Sequence, residues 1–217
     1  MCIRDRLVTF TATDNCGLFV QTTAGLTITD NTEPTIDIVA ADQTVECDGA
    51  GNIAELNAWL ASNGGSVASD ACSDVTWTND HSSLSDDCGA SGSTTVIFTA
   101  TDDCGNASTT EATFTIEDTT EPTIDLPAVA LELECDAANQ QTLIDAWLAN
   151  NGGATADDVC STTGIVWTHN YTAGSENTGC GASGTVLVTF TATDNCCLLY
   201  TSPSPRDATL SRMPSSA

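Results

Sequence analysis

The heptapeptide Phe98-Thr-Ala-Thr-Asp-Asp-Cys104 decides the fold, because the chain contains this stretch three times. Phe10–Cys16 and Phe190–Cys196 are the other copies, each with Asn in place of the second Asp. In the residues up to Asp102, β-branched and aromatic side chains alternate with a period of two, which predicts a half-buried antiparallel strand. The Asp-Asp-Cys-Gly-Asn segment then predicts a turn. A second alternating run predicts a return strand that ends at Asp118.

Recurrence of this predicted hairpin indicates a tandem array of β modules. Each full repeat also contains a segment of helical pattern, which is Asn52–Gly65 in the first, with Asn52 as the expected cap. The expected apolar face of this helix consists of Ile53, Leu56 and Leu60. Because a helix of about ten residues is unstable alone in water, Trp59 and its counterpart Trp147 are expected to pack on the sheets as core residues.

The two ends of the chain resemble translated sequencing adapter. One DNA encoding of residues 1–6 has a reverse complement that encodes Cys197 to Thr201 in one frame. Residues 1–6 and 197–217 are therefore interpreted as artefact, excluded from the fold and expected to pack against nothing. On this interpretation the strand that ends at Asp194 lacks its return strand and offers an unpaired edge.

Charge excludes several classes of function. The chain has 30 acidic and four basic residues, and all four arginines lie in the two end segments. Residues 7–196 therefore contain no Lys or Arg. Nucleic-acid binding is excluded because phosphate neutralisation requires cations, and attraction to an anionic membrane is excluded for the same reason. No apolar run approaches the roughly 18 residues of a spanning helix, so no membrane insertion is expected.

The cysteines predict disulfides and an oxidising compartment, because each full repeat has an even set without the Cys-x-x-Cys spacing of a metal site. The eight predicted disulfide cysteines are Cys47, Cys72, Cys88, Cys104, Cys135, Cys160, Cys180 and Cys196. The interval between the first and second cysteines is the same in both repeats, and so is the interval between the third and fourth. These constant intervals favour the pairs Cys47–Cys72 and Cys88–Cys104. The alternative is Cys47–Cys104 with Cys72–Cys88, because a long strand separates Cys88 from Cys104 and a disulfide needs Cα atoms within about 7 Å.

Three motifs in register carry a family resemblance: the opening Asp30-Asn-Thr-Glu-Pro-Thr-Ile36, the strand Val75-x-Trp77 and the hairpin Thr95–Asn106. With these motifs the chain resembles hyalin-repeat (HYR) modules, and in particular the immunoglobulin-like arrays of large secreted surface proteins of gliding marine bacteria. The resemblance implies tandem Ig-like antiparallel β-sandwich modules, an extracellular or cell-surface location and no catalytic residues. The helical insert, with Cys47 and Cys72, departs from the plain pattern.

The predicted fold class is therefore mainly β, with a short helical insert in each module. Its predicted organisation is a truncated hairpin at 7–32, a complete module at 33–120 and a second module at 121–196 that lacks its last strand.

Calcium is the one cofactor expected. In an Ig-like sandwich the module junction and the turn after the repeated strand share one end, which brings carboxylates together. Calcium prefers six to eight oxygen ligands, and no Lys or Arg competes for these groups. The candidate ligands are Asp30, Glu33, Asp102, Asp103, Asp118, Glu121 and Asp194.

Two functions remain open. The first is a non-enzymatic structural or adhesive segment of a bacterial surface protein, a stalk whose partners are the neighbouring modules. The second is a module that binds an extracellular glycan or protein and is appended to a secreted enzyme; Tyr171 is its only loose candidate for a sugar platform. An enzyme is not expected, because His81 and His169 are the only histidines and lie at different spacings from the preceding Trp.

Overall fold

The computed structural model describes residues 3–134, 139–161, 164–175, 184–196 and 199–202. The chain forms two compact units, and two loops of the first repeat, 45–52 and 85–92, belong to the second unit. The first unit comprises Met1–Thr44, Ile53–Leu84 and Ser93–Thr115. The second unit comprises Val45–Asn52, Ser85–Gly92 and Ile116–Ala217.

The first repeat and the hairpin before it contain eight strands, one α-helix and one short 3-10 helix (Asn63–Gly65) among the described residues. These are β1 (Ile3–Thr13), β2 (Phe19–Thr29), β3 (Thr35–Ile38), β4 (Gln43–Glu46), α1 (Ile53–Ala61), β5 (Val67–Ser69), β6 (Val75–Asn79), β7 (Gly92–Asp102) and β8 (Ala107–Glu117). The first two strands pair only with each other, β3 pairs with β5, and the largest sheet has the order β4-β8-β7-β6. The predicted hairpin therefore occupies the centre of this sheet.

The second repeat follows the same order where it is described. Its elements are β9 (Thr123–Leu126), α2 (Gln140–Ala149), β10 (Thr155–Asp157), β11 (Val166–His169), β12 (Phe190–Thr193) and β13 (Leu199–Ser202). Strand β9 pairs antiparallel with β10, and β12 lies between β11 and β13, antiparallel to both. Each repeat thus combines antiparallel sheets with one short helix, as predicted.

The core of the first unit forms where the alternating face of the hairpin meets α1. Phe98 and Phe114 on this face have no exposed surface. The centroid of the Trp59 ring lies 5.2 Å from that of Phe98, edge to face, and 5.5 Å from that of Phe114. Aromatic pairs favour such distances and the edge-to-face arrangement. The indole N–H donates to the carbonyl oxygen of Ala41 at 3.1 Å, so the one polar atom of this buried ring is satisfied.

The second unit repeats this arrangement. Trp147 packs against the buried cluster that contains Phe190, with ring centroids 5.2 Å apart, edge to face. Its indole N–H donates to the carbonyl of Val129 at 2.8 Å. The prediction that both tryptophans belong to the core is therefore confirmed by these contacts.

A glycine after each helix lets the backbone reach the core. Gly64 has a φ of 65°, and a Cβ there would lie 3.0 Å from the Cβ of Ala40 and 3.1 Å from Cε2 of Phe98. Gly152 has the same surroundings, because a Cβ added there would lie 3.0 Å from the Cβ of Ala128 and 3.1 Å from Cε2 of Phe190. Both glycine carbonyls accept a hydrogen bond from the loop after the first strand of their repeat.

The predicted fold class is confirmed, whereas several local predictions are wrong. Ile53 is 64% exposed, and only Leu56 and Trp59 of α1 are buried. Asn52 does not cap α1 as expected, since its side chain accepts from the N–H of Asp48 and donates to the carbonyl of Glu46. None of the described helices is long and apolar enough to cross a membrane.

The terminal hairpin and the last described strand also differ from expectation. Residues 3–6 extend β1 and pair with β2, while β13 pairs with β12. Unpaired backbone groups at a strand edge can pair with any extended segment. Residues 3–6 and 199–202 therefore have pairing partners, and the edge of β12 that was expected to be unpaired is covered by β13. Ala24, Leu26 and Ile28 alternate along β2 with the period of a half-buried strand, but all three are exposed.

We expect Gly64→Ala to destabilise the protein more than Gly65→Ala. Both residues have positive φ, so alanine costs about 1–2 kcal/mol at either position. Only at Gly64 does the added methyl group meet packed core atoms, which adds about 1–3 kcal/mol. Urea denaturation of both variants measures the difference, and equal losses would show that the close approach at Gly64 does not matter.

Candidate cation clusters and disulfide junctions

Two clusters of carboxylates occur at related positions of the two repeats. The first acidic cluster consists of Asp30, Asp70 and Asp102, and the second acidic cluster consists of Asp118, Asp158 and Asp194. In the second, side-chain ligand atoms of Asp118, Asp158 and Cys160 all lie within 4.8 Å of one another. The same limit holds for Asp118, Asp194 and Cys196. Cys160 and Cys196 are disulfide-bonded, so the possible ligands of this cluster are carboxylates, and Asp118 lies close to both Asp158 and Asp194.

Short Asp-x-Cys turns position most of these carboxylates. One oxygen of Asp158 accepts the N–H groups of Cys160 and Ser161 at 2.9 and 2.7 Å. One oxygen of Asp70 accepts those of Cys72 and Ser73 at 2.8 and 2.9 Å. Such local bonds are typical of Asp in turns. These bonds fix the carboxylates of Asp158 and Asp70 and use only one oxygen of each.

The electrostatics of Asp118 favour an added cation. Burial raises the pKa of Asp118 above its usual value, and the charges of Asp158, Asp194 and Glu46 raise it further. The hydrogen bond from the Thr120 N–H lowers this pKa but does not outweigh the other effects. Its Oδ2 atom is buried and has no hydrogen-bond partner. An ionised carboxylate in such surroundings is costly, so a bound divalent ion would stabilise its charged form.

Asp102 shows the opposite balance. Burial raises the pKa of its carboxyl, but hydrogen bonds from the Asn106 side chain and from the N–H groups of Asn106 and Cys104 outweigh it, so the pKa lies below its usual value. The Asn106 amide donates at 2.7 Å to one oxygen, and the Cys104 N–H donates at 2.7 Å to the other. Turn hydrogen bonds alone therefore stabilise this ionised, buried group.

The structure brings together part of the predicted ligand set. Asp30 lies with Asp102, and Asp118 lies with Asp194, whereas no cluster among the described residues includes Glu33, Asp103 or Glu121. Asp70 and Asp158 were missed. The signal for them is in the sequence, because each stands two residues before a cysteine, as Asp102 and Asp194 do.

Two disulfides connect cysteines that belong to successive repeats of the sequence. Cys47 is bonded to Cys160, with Cα atoms 5.9 Å apart and a sequence separation of 113. Cys88 is bonded to Cys196, at 5.3 Å and 108 positions. All four residues belong to the second unit. Cys104 is also disulfide-bonded.

Neither predicted set of pairs is present. Cys72, predicted to be bonded, is free and exposed, as is Cys16. Strand β7 separates Cys88 from Cys104 by a length on the order of 30 Å, which excludes a bond unless the loop returns. Instead, the 85–92 loop turns toward Cys160, whose carbonyl accepts the N–H of Ala90 at 3.0 Å. Two further predicted disulfide cysteines, Cys135 and Cys180, lie outside the described residues.

Two glycines allow the loops of the first repeat to approach Cys160. Gly49 has a φ of 73°, and any side chain there would collide with the Val159 carbonyl. Gly89 has a φ of 60°, and a side chain there would collide with the Cys160 carbonyl. These glycines are needed for both backbone angle and space, which indicates a closely fitted junction.

Hydrogen bonds next to Cys47 strengthen the same junction. The Glu46 carboxylate accepts from the N–H and hydroxyl of Thr119 at 3.0 and 2.7 Å, and from the Thr120 hydroxyl at 2.8 Å. The hydroxyl and N–H of Thr119 lower the pKa of Glu46, and the Thr120 hydroxyl adds to this. The Cys47 N–H donates to the Glu117 carbonyl at 2.8 Å. The disulfide is thus one part of a larger set of contacts.

A shallow groove of about 570 Å³ lies beside α2 in the second unit. Asp145, Asn151, Trp167, His169 and Tyr171 are among its lining residues. Trp167 and Tyr171, however, pack against the buried core cluster. The aromatic rings of this groove are therefore partly used for packing.

Comparison with known proteins gives similarity at the level of structure only. No family model matches the chain, and no curated protein matches it. The crystal structure of Drosophila N-cadherin EC1-4 is similar at 12% identity and a TM-score of 0.33, covering 94% of this chain and 57% of that one. The structure of mouse clustered PcdhgC3 EC1-3 is similar at 12% identity and a TM-score of 0.29, covering 92% and 75%.

We expect Cys160→Ser to lower the free energy of unfolding by about 2–4 kcal/mol, since it removes a constraint on the unfolded chain. Cys72→Ser is the matched control, because Cys72 occupies the related turn but is free, and it should change stability by less than about 0.5 kcal/mol. Chemical denaturation measures both variants, and thiol titration should show a newly free Cys47 only in Cys160→Ser. Equal losses in the two variants would contradict the observed pairing.

Proposed function

We propose that this chain is a non-enzymatic structural or adhesive repeat segment of a large extracellular bacterial surface protein, of the HYR-like type. It acts as a disulfide-stabilised stalk whose first partners are neighbouring modules of the same chain. Its location is extracellular or at the cell surface, because disulfides persist in oxidising compartments.

The observation that carries this proposal is the disulfide pattern. The Cys47–Cys160 and Cys88–Cys196 bonds each connect a cysteine of one repeat to a cysteine of the next rather than closing a loop within a repeat. A bond within a repeat stabilises that repeat alone, whereas a bond between repeats transmits tension along the array. The pattern therefore suits a load-bearing stalk.

Calcium is the proposed cofactor, and the second acidic cluster is the proposed site. Asp118, Asp158 and Asp194 offer carboxylate oxygens, which are the ligands that calcium prefers. The Oδ2 atom of Asp118 is buried and has no hydrogen-bond partner, so a cation there would satisfy a polar atom that the protein leaves without one. When bound, calcium would neutralise the cluster and hold Asp118 near the two Asp-x-Cys turns.

We expect 10 mM calcium at fixed ionic strength to raise the free energy of unfolding by about 2.7 kcal/mol if Kd is on the order of 10⁻⁴ M. Asp118→Asn should abolish this rise and stabilise the calcium-free protein, because it removes the disfavoured charge. Asp125→Asn, an exposed carboxylate outside the clusters, is the matched control and should keep the rise. Calorimetry with calcium and with magnesium measures both effects; equal rises for the two ions in all three proteins would mean simple screening.

The pH dependence provides a second check on Asp118. Its pKa in the folded protein is raised, so its ionisation opposes folding, and this penalty disappears as pH falls through the folded pKa. Without calcium, Asp118→Asn should therefore be more stable than the wild type at neutral pH, and the difference should shrink on acidification. A difference that is constant with pH would contradict the raised pKa.

The groove beside α2 favours a second candidate function, the binding of an extracellular glycan. Its lining combines aromatic rings with amide and carboxylate groups, a combination that suits a sugar. A glycan array decides between the two functions. The stalk proposal expects no glycan to be retained, whereas retention that is lost in Tyr171→Ala but kept in Thr172→Ala, an exposed neighbour, would support the binding module instead.

A further inference from the structure

The turn that contains Cys72 is a copy of the turn that contains Cys160. The two cysteines lie 88 positions apart in the related segments Asp70-Ala-Cys-Ser73 and Asp158-Val-Cys-Ser161. In both, one oxygen of the leading Asp accepts the N–H groups of the Cys and the Ser, at distances between 2.7 and 2.9 Å. The same turn hydrogen bonds therefore hold the backbone at both cysteines.

The surroundings of the two cysteines also correspond. Cys72 lies with Asp30 and Asp70, and Cys160 lies with Asp118 and Asp158, each set within 4.8 Å. The two cysteines differ in whether a loop covers them. Cys160 is 6% exposed and bonded to Cys47 of the 45–52 loop, in which Gly49 approaches Val159. Cys72 is exposed and free.

We propose that Cys72 is the receiving half of a further inter-repeat disulfide. Its partner is the Cys47-type cysteine of another copy of this repeat placed before it, so that the array is a ladder in which each repeat is bonded to the next. This inference rests on the proposed function, because it requires an array of such repeats. The surface around Cys72, with the Asp30–Asp70 pair, is then the docking surface for a Cys47-type loop.

The chemistry of the bond is thiol–disulfide exchange with a low-molecular-weight disulfide as oxidant. One protein thiolate attacks a sulfur of the small disulfide, forming a mixed disulfide and releasing one small thiol. The second protein thiolate attacks the protein sulfur of that mixed disulfide and releases the second small thiol. The two protein thiols are oxidised, and the small disulfide is reduced to two thiols.

A chain with a third repeat tests the proposal. Residues 31–118 are inserted a second time directly after Asp118, which preserves the register of the repeats, and the protein is refolded with oxidised glutathione. Cys72→Ser in the original copy and Cys47→Ser in the inserted copy leave one Cys47 and one Cys72, in successive repeats. Mass spectrometry of non-reduced digests then identifies the linked peptides.

We expect a Cys47–Cys72 linked peptide in this variant. The reciprocal variant, with Cys47→Ser in the original copy and Cys72→Ser in the inserted copy, should show no such peptide but a Cys47–Cys160 peptide. A Cys88–Cys196 peptide in both variants reports that the repeats have folded. Free Cys47 and Cys72 in the first variant, with the Cys88–Cys196 peptide present, would overturn the ladder while leaving the stalk function and the observed disulfides intact.

Discussion

The disulfide between Cys47 and Cys160 is the constraint on which the junction depends. It fixes the 45–52 loop against the Asp158 turn, where Gly49 provides the space for close approach. The same loop carries Glu46, whose carboxylate is held by Thr119 and Thr120. These threonines directly follow Asp118, so one covalent bond and three hydrogen bonds position the segment on which the second acidic cluster is built. Removing the bond is therefore expected to weaken both the junction and any cation site beside it.

Charge explains why such covalent constraint is useful in this chain. With no Lys or Arg between residues 7 and 196, ion pairs cannot offset the repulsion among carboxylates. Turn hydrogen bonds offset it at Asp102 and Asp158, but not at Asp118, whose pKa is raised. Disulfides oppose unfolding without requiring opposite charge. Calcium is the proposed complement to them, because it would neutralise Asp118, whose Oδ2 has no hydrogen-bond partner.

Much of the fold could be predicted from the sequence because it follows from local pattern. Period-two alternation around Phe98 predicted the central hairpin, and the need to bury a short helix predicted the packing of Trp59. The disulfide pairs could not be predicted from the cysteine spacing. The intervals between cysteines of one repeat are the same whether each cysteine pairs within its own repeat or with the next repeat. Asp70 was missed because its role depends on a turn that brings it beside Asp30. The exposure of Ile53 likewise depends on tertiary packing, which periodicity does not contain.

We propose that disulfides between repeats carry tension along the array. Single-molecule extension of the chain by its two ends, before and after reduction, tests this proposal. In the oxidised protein the Cys47–Cys160 bond bypasses 113 positions, so these residues cannot lengthen the path. We expect reduction to increase the maximum extension by about 400 Å, at roughly 3.5 Å per residue. An extension that is the same before and after reduction would contradict it.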